Sequence, residues 1–173
     1  MTRDRVGIVA DVTAALQRLD GNLADLSQSV LRGYFTMIVL ASFPDEITEE
    51  RIRCTFETIS EDDPFEVGVR AVSAPLPEEP ATSANRYVLT VTGPDRIGFV
   101  AAVSRELLRW NVNIVDIAST VREGRYFMFL LLDRPEHLAM GDFRAGLDAA
   151  TAPLGASYQL QHDDIFRATN EIG

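Results

Sequence analysis

Residues 1–12 read MTRDRVGIVADV, and residues 92–103 read TGPDRIGFVAAV. The pairing of these two stretches decides the fold. When Asp4 is laid on Asp95, residues 4–45 align with 95–136 without a gap, and roughly one third are identical. Gly7 meets Gly98, Asn22 meets Asn113, and Asp25 meets Asp116. Gly33, Met37 and Pro44 meet Gly124, Met128 and Pro135. A gapless match across two predicted elements and a turn implies one duplicated domain rather than a solenoid. The first copy spans 1–72 and the second 86–166. Between them, 73–85 reads SAPLPEEPATSAN, with three prolines and few large apolar residues, which predicts an extended linker. Residues 167–173 are left as a tail.

The second copy gives the order of elements. Residues 87–92 are β-branched and apolar, hence a strand. Gly93-Pro94 breaks it. Phe99, Val100, Val103, Leu107 and Trp110 recur at helical spacing. Residues 114–121 and 126–132 read as strands around a Glu123-Gly124 turn, a helix follows over 140–152, and a last strand lies within 157–166. The order βαββαβ is that of a split βαβ, ferredoxin-like sandwich. The first copy repeats it as helix 7–19, strands 23–31 and 34–43, helix 48–59 and strand 65–72. Thr48, followed by Glu49 and Glu50, predicts the cap of that second helix. The fold class is therefore α+β, two sandwiches in tandem, the first lacking its first strand. A missing central strand would leave backbone groups unmatched. The expectation is that the natural chain carries roughly eight residues before Met1, or that another segment fills the gap.

Net charge is −10, which argues against direct nucleic-acid binding and against docking on an anionic membrane. No apolar run approaches the roughly 20 residues of a membrane helix, and no signal-type leader is visible, so the expected location is cytoplasmic. The single cysteine, Cys54, excludes an intrachain disulfide and reads as a buried small hydrophobe. His137 and His162 lack partners at metal spacing and read as surface residues. The glycine spacing of 93–98 is that of a phosphate loop, but Phe99-Val100 replaces the required Lys-Ser/Thr. No nucleophile or acid–base pair is evident, so no enzyme, metal or cofactor is expected.

The loop before the first helix carries the functional signal. A glycine at a helix start leaves backbone N–H groups free for an anion. Yet each copy sets an aspartate, Asp4 or Asp95, beside that end. A zwitterion satisfies both, its carboxylate on the N–H groups and its ammonium on the aspartate. The alternative is that the aspartate caps the helix and the glycine eases a turn. In the strand after the hairpin, Phe127, Phe129 and Leu131 oppose Tyr126, Met128 and Leu130. An apolar second sheet face predicts burial against another sheet, from the other domain or another chain.

The pattern D-R-[VI]-G-[IF]-V-A, then a helix, then N-[LI]-x-D-[LI], resembles the ACT domain. That family consists of ferredoxin-like modules that regulate amino-acid metabolism by binding small effectors. Two such domains with little else resemble the stand-alone repressor of the glycine cleavage system. The resemblance implies an effector site in the first loop: Asp95, Arg96, Ile97, Gly98 and Phe99, or Asp4, Arg5, Val6, Gly7 and Ile8. It adds the polar residue opening the second strand, Asn113 or Asn22, often across a domain interface. It implies an amino-acid effector, a homo-oligomer, and a protein partner such as a transcription factor or metabolic enzyme. A detached regulatory subunit of an amino-acid biosynthetic enzyme is the other reading.

Overall fold

Thr2–Arg3 forms the two-residue strand β1, so the first copy keeps a remnant of the strand that the sequence leads one to expect missing. It is seen in a computed structural model that describes residues 1–60, 64–72 and 85–170. The chain divides there into two units, Met1–Leu76 and Pro77–Gly173. The predicted linker falls outside the described residues except for Asn85.

In the first unit, Ile8, Val12, Ala15 and Leu16 recur at helical spacing and are buried along α1 (Ile8–Arg18). Strands β2 (Asn22–Leu31) and β3 (Tyr34–Ser42) pair antiparallel through an Arg32-Gly33 turn. Both turn residues have positive φ, 51° and 80°, the left-handed pair that matches strand twist. Helix α2 (Glu49–Glu57) starts at Thr48, whose side chain accepts from the Arg51 N–H, as expected. The strand order is β1-β3-β2. The expected last strand over 65–72 does not form. Its neighbour in this topology is the first strand, and a two-residue remnant offers almost no ladder. One exchange survives: the Met1 amine donates to the Glu66 carbonyl at 2.8 Å, and the Glu66 N–H donates to Met1 at 3.0 Å.

The second unit is complete. Strand β4 (Arg86–Pro94) leads to α3 (Phe99–Arg109), β5 (Asn113–Arg122), β6 (Arg125–Asp133), α4 (Met140–Thr151) and β7 (Ser157–His162). The sheet order is β5-β6-β4-β7, with β4 central and paired along its length to β6. Leu89, Val91, Met128, Leu130 and Leu132 point from the sheet into a core closed by Val103, Leu107, Phe143 and Leu147. Gly93 allows close packing: a Cβ there would stand 2.8 Å from the Phe99 ring and 2.9 Å from the Ala156 methyl. In the first unit the same three places hold Thr2, Ile8 and Phe65, so bulk has moved from the helix to the last segment while the volume stays filled.

The last strand ends at His162, and helix α5 (Asp163–Asn170) replaces the predicted remainder and much of the tail. Asp163 and Asp164 favour a helix start, and Asp163 pairs with Arg167 one turn on at 3.0 Å. Helix α5 borders the outer sheet face. Phe166 and Arg167 line a groove of about 320 Å³ with Val88, Ala118, Phe129 and Leu131. Within the unit a helix, not a second sheet, lies beside this face, and Phe129 stays 42% exposed. His162 packs edge-on to Tyr87 at 5.1 Å rather than standing free. No helix among the described residues is long and apolar enough to cross a membrane.

The two cores are unequal. Helix α4 buries Phe143 and Leu147, whereas α2, its counterpart, buries no residue. Cys54 on α2 is exposed, contrary to the buried residue expected, because the sheet under α2 lacks the central strand that would draw the helix inward. Its thiol donates to Glu50 at 3.4 Å. That hydrogen bond, helped by the carboxylate charge, pushes the thiol up from its ordinary value. Thiolate therefore forms only at higher pH. Glu50→Ala should speed alkylation of Cys54 by iodoacetamide at pH 8, and an unchanged rate would remove Glu50 as the cause.

Candidate functional site: the glycine-started helices

Each unit builds the same loop. The Asp4 N–H donates to the Gly33 carbonyl at 2.8 Å, and the Asp95 N–H donates to the Gly124 carbonyl at 3.0 Å. The hairpin turn thus pins the aspartate backbone, which the sequence reading missed; the signal was the glycine shared by the two turns. Gly7 and Gly98 then start α1 and α3 with φ of 93° and 89°. Positive φ there explains the glycine, since an L side chain pays about 1–2 kcal/mol for that conformation. Neither helix start has a side-chain cap. The aspartate is not a cap, while the glycine does ease the turn, as the simpler reading of these loops expects.

The side chains of Asp95, Arg96 and Ile97 are exposed, as are those of Asp4, Arg5 and Val6. Phe99 and Ile8 are not available to a ligand. Both are 2% exposed and belong to the cores, and the Phe99 N–H donates to the Arg96 carbonyl at 3.3 Å. Their place in the candidate set is corrected to structural support. A Cβ on Gly98 would meet nothing within 4 Å, so the space over the α3 start is open.

The loops differ in one charge contact. Arg5 reaches Asp11 on α1 at 2.7 Å and lies near the helix start, its guanidinium 3.9 Å from a Cβ built on Gly7. Ala102 stands where Asp11 would be in the second copy, so Arg96 lacks this partner. Among the described residues, the guanidinium of Arg5 is ion-paired within its own unit and that of Arg96 has no carboxylate partner within salt-bridge distance.

Asn113 and Asn22 are not brought to these loops. Asn113 opens β5 opposite Asp133, whereas the Asp95 loop follows Pro94, which pairs with Arg125 at the other end of β6. Eight residues of strand separate those levels, roughly 27 Å. The first unit repeats this, with Asn22 opposite Ser42 and Arg3 opposite Tyr34. The N-[LI]-x-D-[LI] motif has a structural cause instead. The pairing register shifts between Leu23 and Asp25 and between Ile114 and Asp116, a β-bulge in each copy. The bulge aspartate accepts from the next N–H, 2.7 Å for Leu26 and 2.9 Å for Ile117. Among the described residues no cluster of His, Cys, Asp and Glu is placed to hold a metal.

Comparison with known proteins agrees with the duplication. The ACT domain model matches residues 2–69 and again 85–160. A UPF0237 protein of Methanosarcina acetivorans is 36% identical over 91 residues, 52% of this chain and 99% of that protein. One of Methanopyrus kandleri is 39% identical over 88 residues, 50% of this chain and 98% of that protein. Among solved structures, a protein of Galdieria sulphuraria, described as unknown, covers 92% of each chain at TM-score 0.70 and 27% identity. A structure provisionally assigned as a glycine cleavage system transcriptional repressor covers 92% of this chain and 91% of its own at TM-score 0.68 and 15% identity, a likeness of fold.

Proposed function

The chain belongs to the ACT domain family, and from that premise we propose that it is a non-enzymatic regulatory protein whose effector is a free amino acid bound at the Asp95–Gly98 loop. The observation that carries the reading is the α3 start: uncapped, opened by a left-handed glycine, and flanked by exposed Asp95 and Arg96. The helix end and Arg96 suit a carboxylate, and Asp95 suits an ammonium. The first-unit loop, with Arg5 held by Asp11, is the weaker site.

Asn113 is too far from the Asp95 loop of its own unit to grip the same small molecule. A site that uses both draws the asparagine from another copy, which supports a homo-oligomer. Effector binding then shifts an interface by its differential affinity for two states, and a protein partner reads the change. Control resembling that of the glycine cleavage repressor is the most economical version, and co-purification with a transcription factor rather than a biosynthetic enzyme would support it.

The test is a thermal-shift screen of the twenty amino acids. An amino acid at one hundred times its Kd should stabilise the protein by about 2.7 kcal/mol. A screen in which none raises the melting temperature removes the effector reading.

A further inference from the structure

The hairpin beside the Asp95 loop breaks a rule of strand pairing. Arg122 and Arg125 are direct cross-strand partners at the end of β5 and β6, so both side chains leave the same face of the sheet, their Cβ atoms about 5 Å apart. Like charges placed in this way are destabilising. The first copy has Leu31 opposite Tyr34 there, an apolar pair. Both arginines are exposed. Among the described residues no carboxylate lies within salt-bridge distance of either, nor of Arg96. The Asp95 loop adjoins the pair: Pro94 is the partner of Arg125 on β4, and the Asp95 N–H donates to the carbonyl of Gly124, in the turn between the two arginines. Arg125 alternates with Tyr126, which packs on Phe99 at the foot of α3. The pair therefore starts from the sheet face opposite the helices, and only the two-residue turn separates it from the edge that the loop crosses. Three arginines without an ion pair thus meet at one end of a chain whose net charge is −10.

We infer that Arg122 and Arg125 are the specificity-determining residues of the Asp95 loop, and that its effector is an acidic amino acid, glutamate or aspartate. The inference rests on the reading that an amino acid binds at this loop, and it names the class. The α-carboxylate lies at the α3 start with Arg96, and the ammonium lies at Asp95. The side chain then crosses the Gly124 turn, and its carboxylate lies between the two guanidiniums. Arginine suits this task because its planar fork donates two parallel hydrogen bonds to a carboxylate. The ligand's charge also relieves the repulsion within the pair, which adds to affinity. A local rule broken with no gain inside the fold is the mark of a functional site. Glu123, exposed in the same turn, opposes the anion and limits the gain, as does salt screening at a surface site. Leu31 and Tyr34 offer a carboxylate no such partner, so this selection belongs to the second unit.

The test is calorimetric titration of the full chain, in low salt, with glutamate, aspartate and their neutral counterparts glutamine and asparagine. At least one of the two acids should bind about tenfold or more tightly than its own amide. The gap should narrow as sodium chloride is raised. In Arg122→Gln/Arg125→Gln the gap should close, the acid falling to the affinity of the amide. Arg122→Gln alone, which keeps one guanidinium, should lose part of it. The melting temperature of the double variant without ligand should hold or rise, because a like-charge pair has been removed. Equal binding of acid and amide by the unaltered chain overturns the inference and leaves the amino-acid reading standing. A gap that survives in the double variant also overturns it, since other groups then make the selection. Silence from all four ligands, while another amino acid raises the melting temperature, overturns this inference alone. No response to any of the twenty removes both readings.

Discussion

Leu147→Ala is expected to destabilise the second unit by about 2–5 kcal/mol, while Phe56→Ala, at the same place in the first copy, costs only about 1–2 kcal/mol. Ordinarily the larger side chain loses more. Here burial reverses the order. Leu147 is 0% exposed beneath a complete sheet, and Phe56 only rests against the edge of a small core. The cost of truncation is the lost transfer energy plus the cavity left behind, and a half-exposed site leaves little cavity. Urea unfolding of the full chain, with each unit followed by its own exchange-resolved amides, measures both. Equal losses would mean that the first unit is as well packed as the second.

Gly98→Val should abolish the melting shift produced by an amino-acid effector, and Gly7→Val should leave most of it. Gly98 holds φ at 89°, where a β-branched residue is a strong outlier. Beyond the adjoining backbone, no atom of the described residues lies within 4 Å of the new Cβ, so the damage is to the backbone of the loop and to the space a ligand would occupy. Gly98→Ala, with less strain and a smaller group, should retain part of the response. The intrinsic melting temperature will fall in all three variants, so the readout is the difference with and without effector. A full response from Gly98→Val would place the ligand elsewhere.

Much of this was legible in the residues. The duplicated D-R-[VI]-G pattern predicts two loops, and both loops have the same glycine φ and the same hydrogen bond to a hairpin glycine. The Ala102–Asp11 difference is visible in the aligned sequences, and its consequence for Arg96 follows from the observed Arg5 contact. Three features were hidden. The segment over 65–72 is apolar enough for a strand, but a strand needs a neighbour, and local propensity does not count neighbours. The continuation after His162 is ambiguous between strand and helix over a few residues, and the Asp163–Arg167 pair with the α5 packing decides it. Asn113 and Asp95 are close in the motif and far apart on the sheet, because an intervening helix returns the chain to the opposite end.

The bulges at Asp25 and Asp116 have a consequence beyond their motif. Strands β2 and β5 are ten residues long and border their sheets, the setting in which proteins polymerise by strand-to-strand pairing. An extra residue and a carboxylate in each border break the flat run of donors and acceptors that a growing fibril would copy. The regular run that a neighbouring copy could extend is thereby shortened to seven residues on each border, Asp25 to Leu31 and Asp116 to Arg122.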